Sequence, residues 1–196
     1  MRLRRAVCGA TACGALVCGA LVASVVAAPA CAGAQGFPFS QRGASLQSVA
    51  NTEIEVHYGR PVARGRLLFA DTGLVKYGQV WHPGADSASR IRFSRDVLVE
   101  GRAVPAGEYT IWLIPRGSAP WTLILSKAAH VFHTPYPGVE LDQLRVELTP
   151  ETLSHMESMA IYFASVVRDD AIMRIHWGTT ALSVRIKAPF RPPPTP

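Results

Sequence analysis

The chain has 196 residues, with 20 Lys+Arg against 14 Asp+Glu, 48% hydrophobic residues and 4 cysteines. That length suits one domain with a core of its own and is short for several. Arg2, Arg4 and Arg5 precede a charge-free run of small apolar residues from Ala6 to Ala30, the pattern of an export leader. Loss of those three arginines lowers the 20 bases to 17 against 14 acids, a balance of +3. The charges interleave without a basic block, so nucleic acid is not an expected partner.

The leader covers residues 1–34 as a signal helix, with cleavage after Ala34 and Gln35 as the first mature residue. The alternative is lipid attachment at Cys31, although Ala28 stands where leucine is usual and Pro29 fits poorly. Membrane contact is expected only through the leader or a lipidated Cys31, and the mature protein is expected in the periplasm or outside the cell. Cys8, Cys13, Cys18 and Cys31 all lie before the cut. The exported domain therefore has no thiol, which excludes disulfides, thiolate nucleophiles and cysteine-based zinc sites.

Residues 35–51 are polar, and 35–44 form a flexible lead-in to a domain at 45–187. Thr52 to Tyr58 alternates, with Ile54, Val56 and Tyr58 on one side. Gly59 and Pro61 end that strand, and Arg64-Gly65-Arg66 enters a short apolar run. Ser89–Phe93 and Val97–Val99 are the next strands, followed by a hairpin turn at Glu100-Gly101-Arg102. Pro105-Ala106-Gly107 is a turn leading into Tyr109–Ile114, and Trp121–Ser126 is another strand. Lys127–Glu140 is irregular, and Leu144, Val146 and Leu148 alternate again. Thr149-Pro150 predicts a capped helical turn within 150–157. Ser158–Val166 and Ala171–Trp177 form a hairpin around Arg168-Asp169-Asp170, and Thr180–Lys187 closes the set. The tail at 188–196 is proline-rich and is expected to be extended or disordered.

Short strands separated by turn signals, with no three-turn helix, predict an all-β fold: a single antiparallel β-sandwich, jelly-roll-like.

Tyr58-Gly59-Arg60-Pro61, Arg64-Gly65-Arg66, Tyr77-Gly78-Gln79-Val80-Trp81, Phe93-Ser94-Arg95-Asp96-Val97 and Pro105-Ala106-Gly107-Glu108-Tyr109 stand in fixed order. Over Gln41 to Ile186 the chain resembles a bacterial exported family, domain of unknown function 2911. The resemblance implies a secreted or lipid-anchored β-sandwich and carries no activity. It breaks after Trp81, where the family commonly has Arg-Thr-Gly-Ala-Asn-Glu and this chain has His82-Pro83-Gly84-Ala85-Asp86-Ser87.

The candidate ligand-binding set is Arg60, Arg64, Arg66, Tyr77, Trp81, His82 and Asp86. Arginine offers a planar fork for carboxylate, sulfate or phosphate, and Tyr and Trp offer flat faces to a sugar or aromatic group. The alternative is that Arg60 and Arg64 pin loops to buried carbonyls or to Glu53 and Asp86 while Trp81 fills core; Trp112, Trp121 and Trp177 are core candidates too. Metal ligation by His82 with Asp86, or by His130 with His133, lacks a helix face and a glutamate, so neither metal nor cofactor is expected. There is no Gly-x-Ser-x-Gly, and Ser87, His82 and Asp86 are too close in sequence to converge as a triad. Glu53, Glu55, Asp86 and Glu108 could supply a glycosidase pair, but Glu53 and Glu55 fit a solvated strand face.

The expected function is a non-catalytic ligand-binding or interaction module of the cell envelope, its partner a small molecule or envelope component. The alternatives are a hydrolase of sugars or esters built on Trp81–Asp86, and a structural envelope protein. A hydrolase requires His82 and Asp86 to converge in a concave pocket. A binding module requires exposed arginines and aromatics, and a scaffold requires Arg60, Arg64 and Arg66 to be spent on internal hydrogen bonds.

Overall fold

The computed structural model describes residues 40–190 and 192. The leader, its cleavage site, Cys31, the start of the lead-in and most of the proline tail lie outside the described residues.

Two antiparallel sheets carry the fold. The larger is made of β1 (Gln41–Val49), β2 (Thr52–Arg60), β3 (Arg90–Phe93), β6 (Gly107–Ile114), β7 (Trp121–Ser126) and β8 (Asp142–Leu148), in that spatial order. The smaller is ordered β5 (Arg102–Val104), β4 (Val97–Val99), β10 (Asp170–Lys187) and β9 (Glu151–Val167). The large sheet follows chain order except where the β4–β5 hairpin leaves it for the other sheet. Among the described residues the one helical element is a 3₁₀ turn, Val139–Leu141, which precedes β8. The all-β sandwich expected from the strand spacing is the fold observed.

The alternation in the sequence decides which side chains meet between the sheets. Ile54, Val56 and Tyr58 of β2, Ile91 and Phe93 of β3, and Tyr109, Ile111 and Leu113 of β6 are buried from one side. Met159, Ile161, Met173, Ile175, Leu182, Val184 and Ile186 are buried in the same cluster from the other sheet. At about 25 cal/mol per Å² of apolar surface, this core is the main source of stability in a domain with no described disulfide.

β6 and β7 are buried on both faces. Trp112 and Ile124 turn away from the inter-sheet core into a second, smaller cluster with Ala88, packed against Ile114, Val131 and Tyr136. Loops 82–88 and 127–141 roof this outer cluster. Trp112 Nε1 donates to Thr110 Oγ1 at 2.9 Å, and the Thr110 hydroxyl donates to the Ala128 carbonyl at 3.0 Å, so the roof is tied to the sheet by polar bonds.

Three expectations are corrected. The lead-in placed over 35–44 gives way at Gln41 to β1, which pairs with β2 along its whole length, from Gln41 opposite Arg60 to Val49 opposite Thr52. An edge strand with one solvated side needs little apolar alternation, so the sequence pattern is weak there. The helical turn within 150–157 is instead the start of β9. Thr152 pairs with Thr180 and Met156 with Gly178, and Glu157 O accepts from Ala63 N at 2.8 Å. Partners on both edges outweigh a local capping signal worth about 1 kcal/mol. The separate strands expected on either side of Gly178 are one strand with a bulge, where Gly178 takes φ 59°.

Candidate functional site

The segment between β2 and β3 places most of the candidate residues. Trp81 pairs with Leu113 of β6 (N–O 2.8 and 2.7 Å), and Ile111 N donates to Ser89 O at 2.9 Å. Trp81 and Ser89 thus continue the line of β3 along β6, and residues 82–88 leave it as an excursion over the outer face. Gly59 makes room for that excursion: a Cβ there would stand 2.4 Å from the Ala85 carbonyl oxygen.

Trp81 and His82 are neighbours on extended backbone, so their side chains leave on opposite faces. Trp81 enters the inter-sheet core. Its ring stacks on Trp177 (centroids 6.1 Å, 15°) and meets Phe69 edge-on at 5.6 Å. His82 goes to the outer cluster beside Trp112, at 6.0 Å. The candidate set is therefore divided by the sheet itself.

The arginines are largely structural. Arg60 Nε donates to Met159 O at 3.1 Å across to β9. Arg66 donates from Nε to Ala63 O at 3.0 Å and from Nη2 to Val62 O at 2.5 Å, closing its own turn. Arg64 sits in that turn at φ 52°, its backbone N–H bonded to Glu157 Oε1 at 2.8 Å. Arg60 thus bonds a carbonyl as the pinning alternative has it, and Arg66, which that alternative did not include, does so too.

Arg66 and Tyr77 nevertheless share a groove at the end of the sandwich. It holds about 470 Å³ and is bordered also by Trp121, Glu151, His155 and Trp177. Phe69 forms the hub of its floor, 5.0 Å from Trp121 and 6.0 Å from Trp177, both edge-on. Tyr77 is fixed by donating its hydroxyl to Phe69 O at 2.7 Å. Glu151 Oε2 faces Arg174 at 3.4 Å, and His155 Nε2 lies 2.8 Å from Glu157 Oε2. Trp177 is buried, and its indole N–H has no acceptor among the described residues. The wall thus mixes a cation, a carboxylate, an imidazole and hydroxyls around aromatic rings, a combination suited to orienting a polar, uncharged molecule.

The model of the family described as "Protein of unknown function (DUF2911)" matches residues 40–186, from the residue before β1 to the penultimate residue of β10. The chain belongs to this family. No curated protein and no solved structure matches it. The DUF2911 span contains every residue of the end groove and the whole 82–88 excursion.

Within that span, His82 and Asp86 do not converge. His82 is 6% exposed and stacks on His133 at 5.3 Å. Burial, with the nearby His133 as a lesser cause, pushes its pKa down to about 4. Asp86 is exposed at φ 64°, and its backbone carbonyl, not its carboxylate, meets His133 Nδ1 at 2.6 Å. Neither borders the end groove. His130 points elsewhere, to Arg90 and Glu108, so His130 and His133 do not form a pair. No three His, Cys, Asp or Glu side chains gather for a metal among the described residues. Glu151, His155 and Thr180 are groove residues that sequence reasoning missed, because β9 carried a helix-start signal and its pairing with β10 is bulged.

Proposed function

We propose that this DUF2911 chain is exported and acts as a ligand-binding module of the cell envelope, holding a small hydroxylated ligand of the sugar class in the end groove. One observation carries this: Arg66, Tyr77, Glu151, His155 and Thr180 surround a floor of aromatic rings built on Phe69, Trp121 and Trp177. The Arg66 guanidinium, already anchored through Nε and Nη2, keeps Nη1 for a ligand at little further cost in order.

The test is calorimetric titration of the protein with neutral mono- and disaccharides, uronic acids and divalent metals. Saturable sugar binding that Thr180→Val and Tyr77→Ala weaken supports the proposal. Failure of all the sugars, or binding indifferent to both substitutions, refutes it.

A further inference from the structure

A second cavity lies on the outer face of the six-stranded sheet and shares no residue with the end groove. It opens between the first strands and the 127–133 stretch of the roof, holds about 580 Å³, and is lined by Arg42, His57, Ser87, Arg90, His130 and Phe132, with small residues between them. Among the described residues, no carboxylate lines it. The groove beside Arg102, Arg116 and Arg145 differs in this respect, since Glu100 and Glu147 lie in its wall.

Two acids at its edge, Glu55 and Glu108, are already engaged. Glu55 meets His57 Nε2 at 2.5 Å and Arg92 Nη2 at 3.0 Å, and hydrogen bonds from those two hold its carboxyl below the usual range. Glu108 meets Arg90 Nη1 at 2.8 Å and His130 Nε2 at 3.4 Å. Arg90 Nη1 also lies 3.0 Å from His130 Nδ1. A guanidinium only donates, so Nδ1 accepts and the imidazole proton sits on Nε2, toward Glu108. This network fixes Arg90 and His130 while using one guanidinium nitrogen of Arg90.

Arg42 is placed differently. It donates from Nη2 to the Ser87 hydroxyl at 2.9 Å and pairs with no carboxylate among the described residues. The Ser87 hydroxyl therefore aligns a cation whose charge is not neutralised beside it. Phe132, 60% exposed, bridges back to Ser87 and adds an apolar surface at the same rim.

We propose that this face groove is a second binding site, for an oxyanion group (carboxylate or phosphate) on a ligand whose apolar or aromatic part lies on Phe132. Arg42 and Arg90 supply planar forks matched to two oxygens of one anion, and His57 adds an imidazole to the wall. The imbalance of cations over carboxylates in the lining makes anion entry favourable, and salt weakens it because the groove is open to solvent.

The test titrates the full chain with phenyl phosphate, benzoate and inorganic phosphate at low and at moderate salt. Saturable binding of phenyl phosphate or benzoate is expected, and which of the two binds tighter distinguishes phosphate from carboxylate. Arg42→Gln weakens it about tenfold or more, the usual effect of removing a charge-assisted bond. Phe132→Ser weakens the aromatic ligands and leaves inorganic phosphate unchanged. Arg102→Gln, on a separate groove, leaves all affinities unchanged. Arg42 is exposed on an edge strand, so its variant keeps the parent melting temperature. The proposal is overturned if neither aromatic anion binds, if Arg42→Gln leaves affinity unchanged, if Arg102→Gln weakens binding equally, or if Phe132→Ser spares the aromatic ligands.

Discussion

His82 lies flat against His133, centroids 5.3 Å apart at 28°, on the outer face of the large sheet. The unfolded chain presents an ordinary imidazole near 6.5, whereas folded His82 titrates near 4. Between those values the unfolded state binds the extra proton. Stability contributed through this residue is therefore intact above pH 6.5, falls as pH drops toward 4, and falls no further below it. The full loss is about 3 kcal/mol. His82→Phe keeps a ring against Trp112 and removes the titration. Urea unfolding at a series of pH values is expected to show a flatter profile between 6.5 and 4 for that variant, and an unchanged slope would contradict the account.

Gly59→Ala is expected to destabilise the domain by about 1–3 kcal/mol, because the new methyl meets the Ala85 backbone and not a movable side chain. Denaturant midpoints measure this directly. Gly65→Ala, in a turn with nothing near the added carbon, is strained only by its φ of 65° and is expected to cost less.

Trp112→Ala is expected to lose about 3–5 kcal/mol, since it empties the outer cluster under the roof. The accompanying signature is faster proteolysis within 127–138, the loop that Trp112 supports through Tyr136.

Arg60 and Arg66 separate structure from binding. Arg60→Met removes a bond to β9 and is expected to lower stability by about 1 kcal/mol with no effect on ligand affinity in the end groove. Arg66→Met is expected to lower both. Parallel melting curves and titrations distinguish the two, and equal loss of affinity would show that neither arginine touches ligand directly.

The strands were legible because a half-buried strand writes its burial as alternation: Ile54, Val56 and Tyr58 are buried where the pattern placed them. β1 was not legible, because pairing with β2 holds it without a continuous apolar side, and Leu46 within it is exposed. The start of β9 was misread because its partners, Thr180 and the loop at Pro61–Ala63, are distant in sequence. The candidate site was only half legible. Residue types suggested Arg66 and Tyr77, and both border the end groove. The same clustering joined Trp81 to His82, and strand geometry drives those two apart. Glu151, His155 and Thr180 had no local signal, since long-range pairing alone brings them to the groove.

The described backbone bonds between the sheet layers gather on one flank, where β9 takes Ala63 N on Glu157 O and gives Met159 N to Pro61 O. Ser45 and Arg60 add side-chain bonds to the same strand, at Ile161 O and Met159 O. The β5 and β8 flank meets through side chains. Thermal breathing should thus pivot on β9 like a cover on its spine, and amide protons of β5 should exchange with deuterium well before those of Met159 and its neighbours.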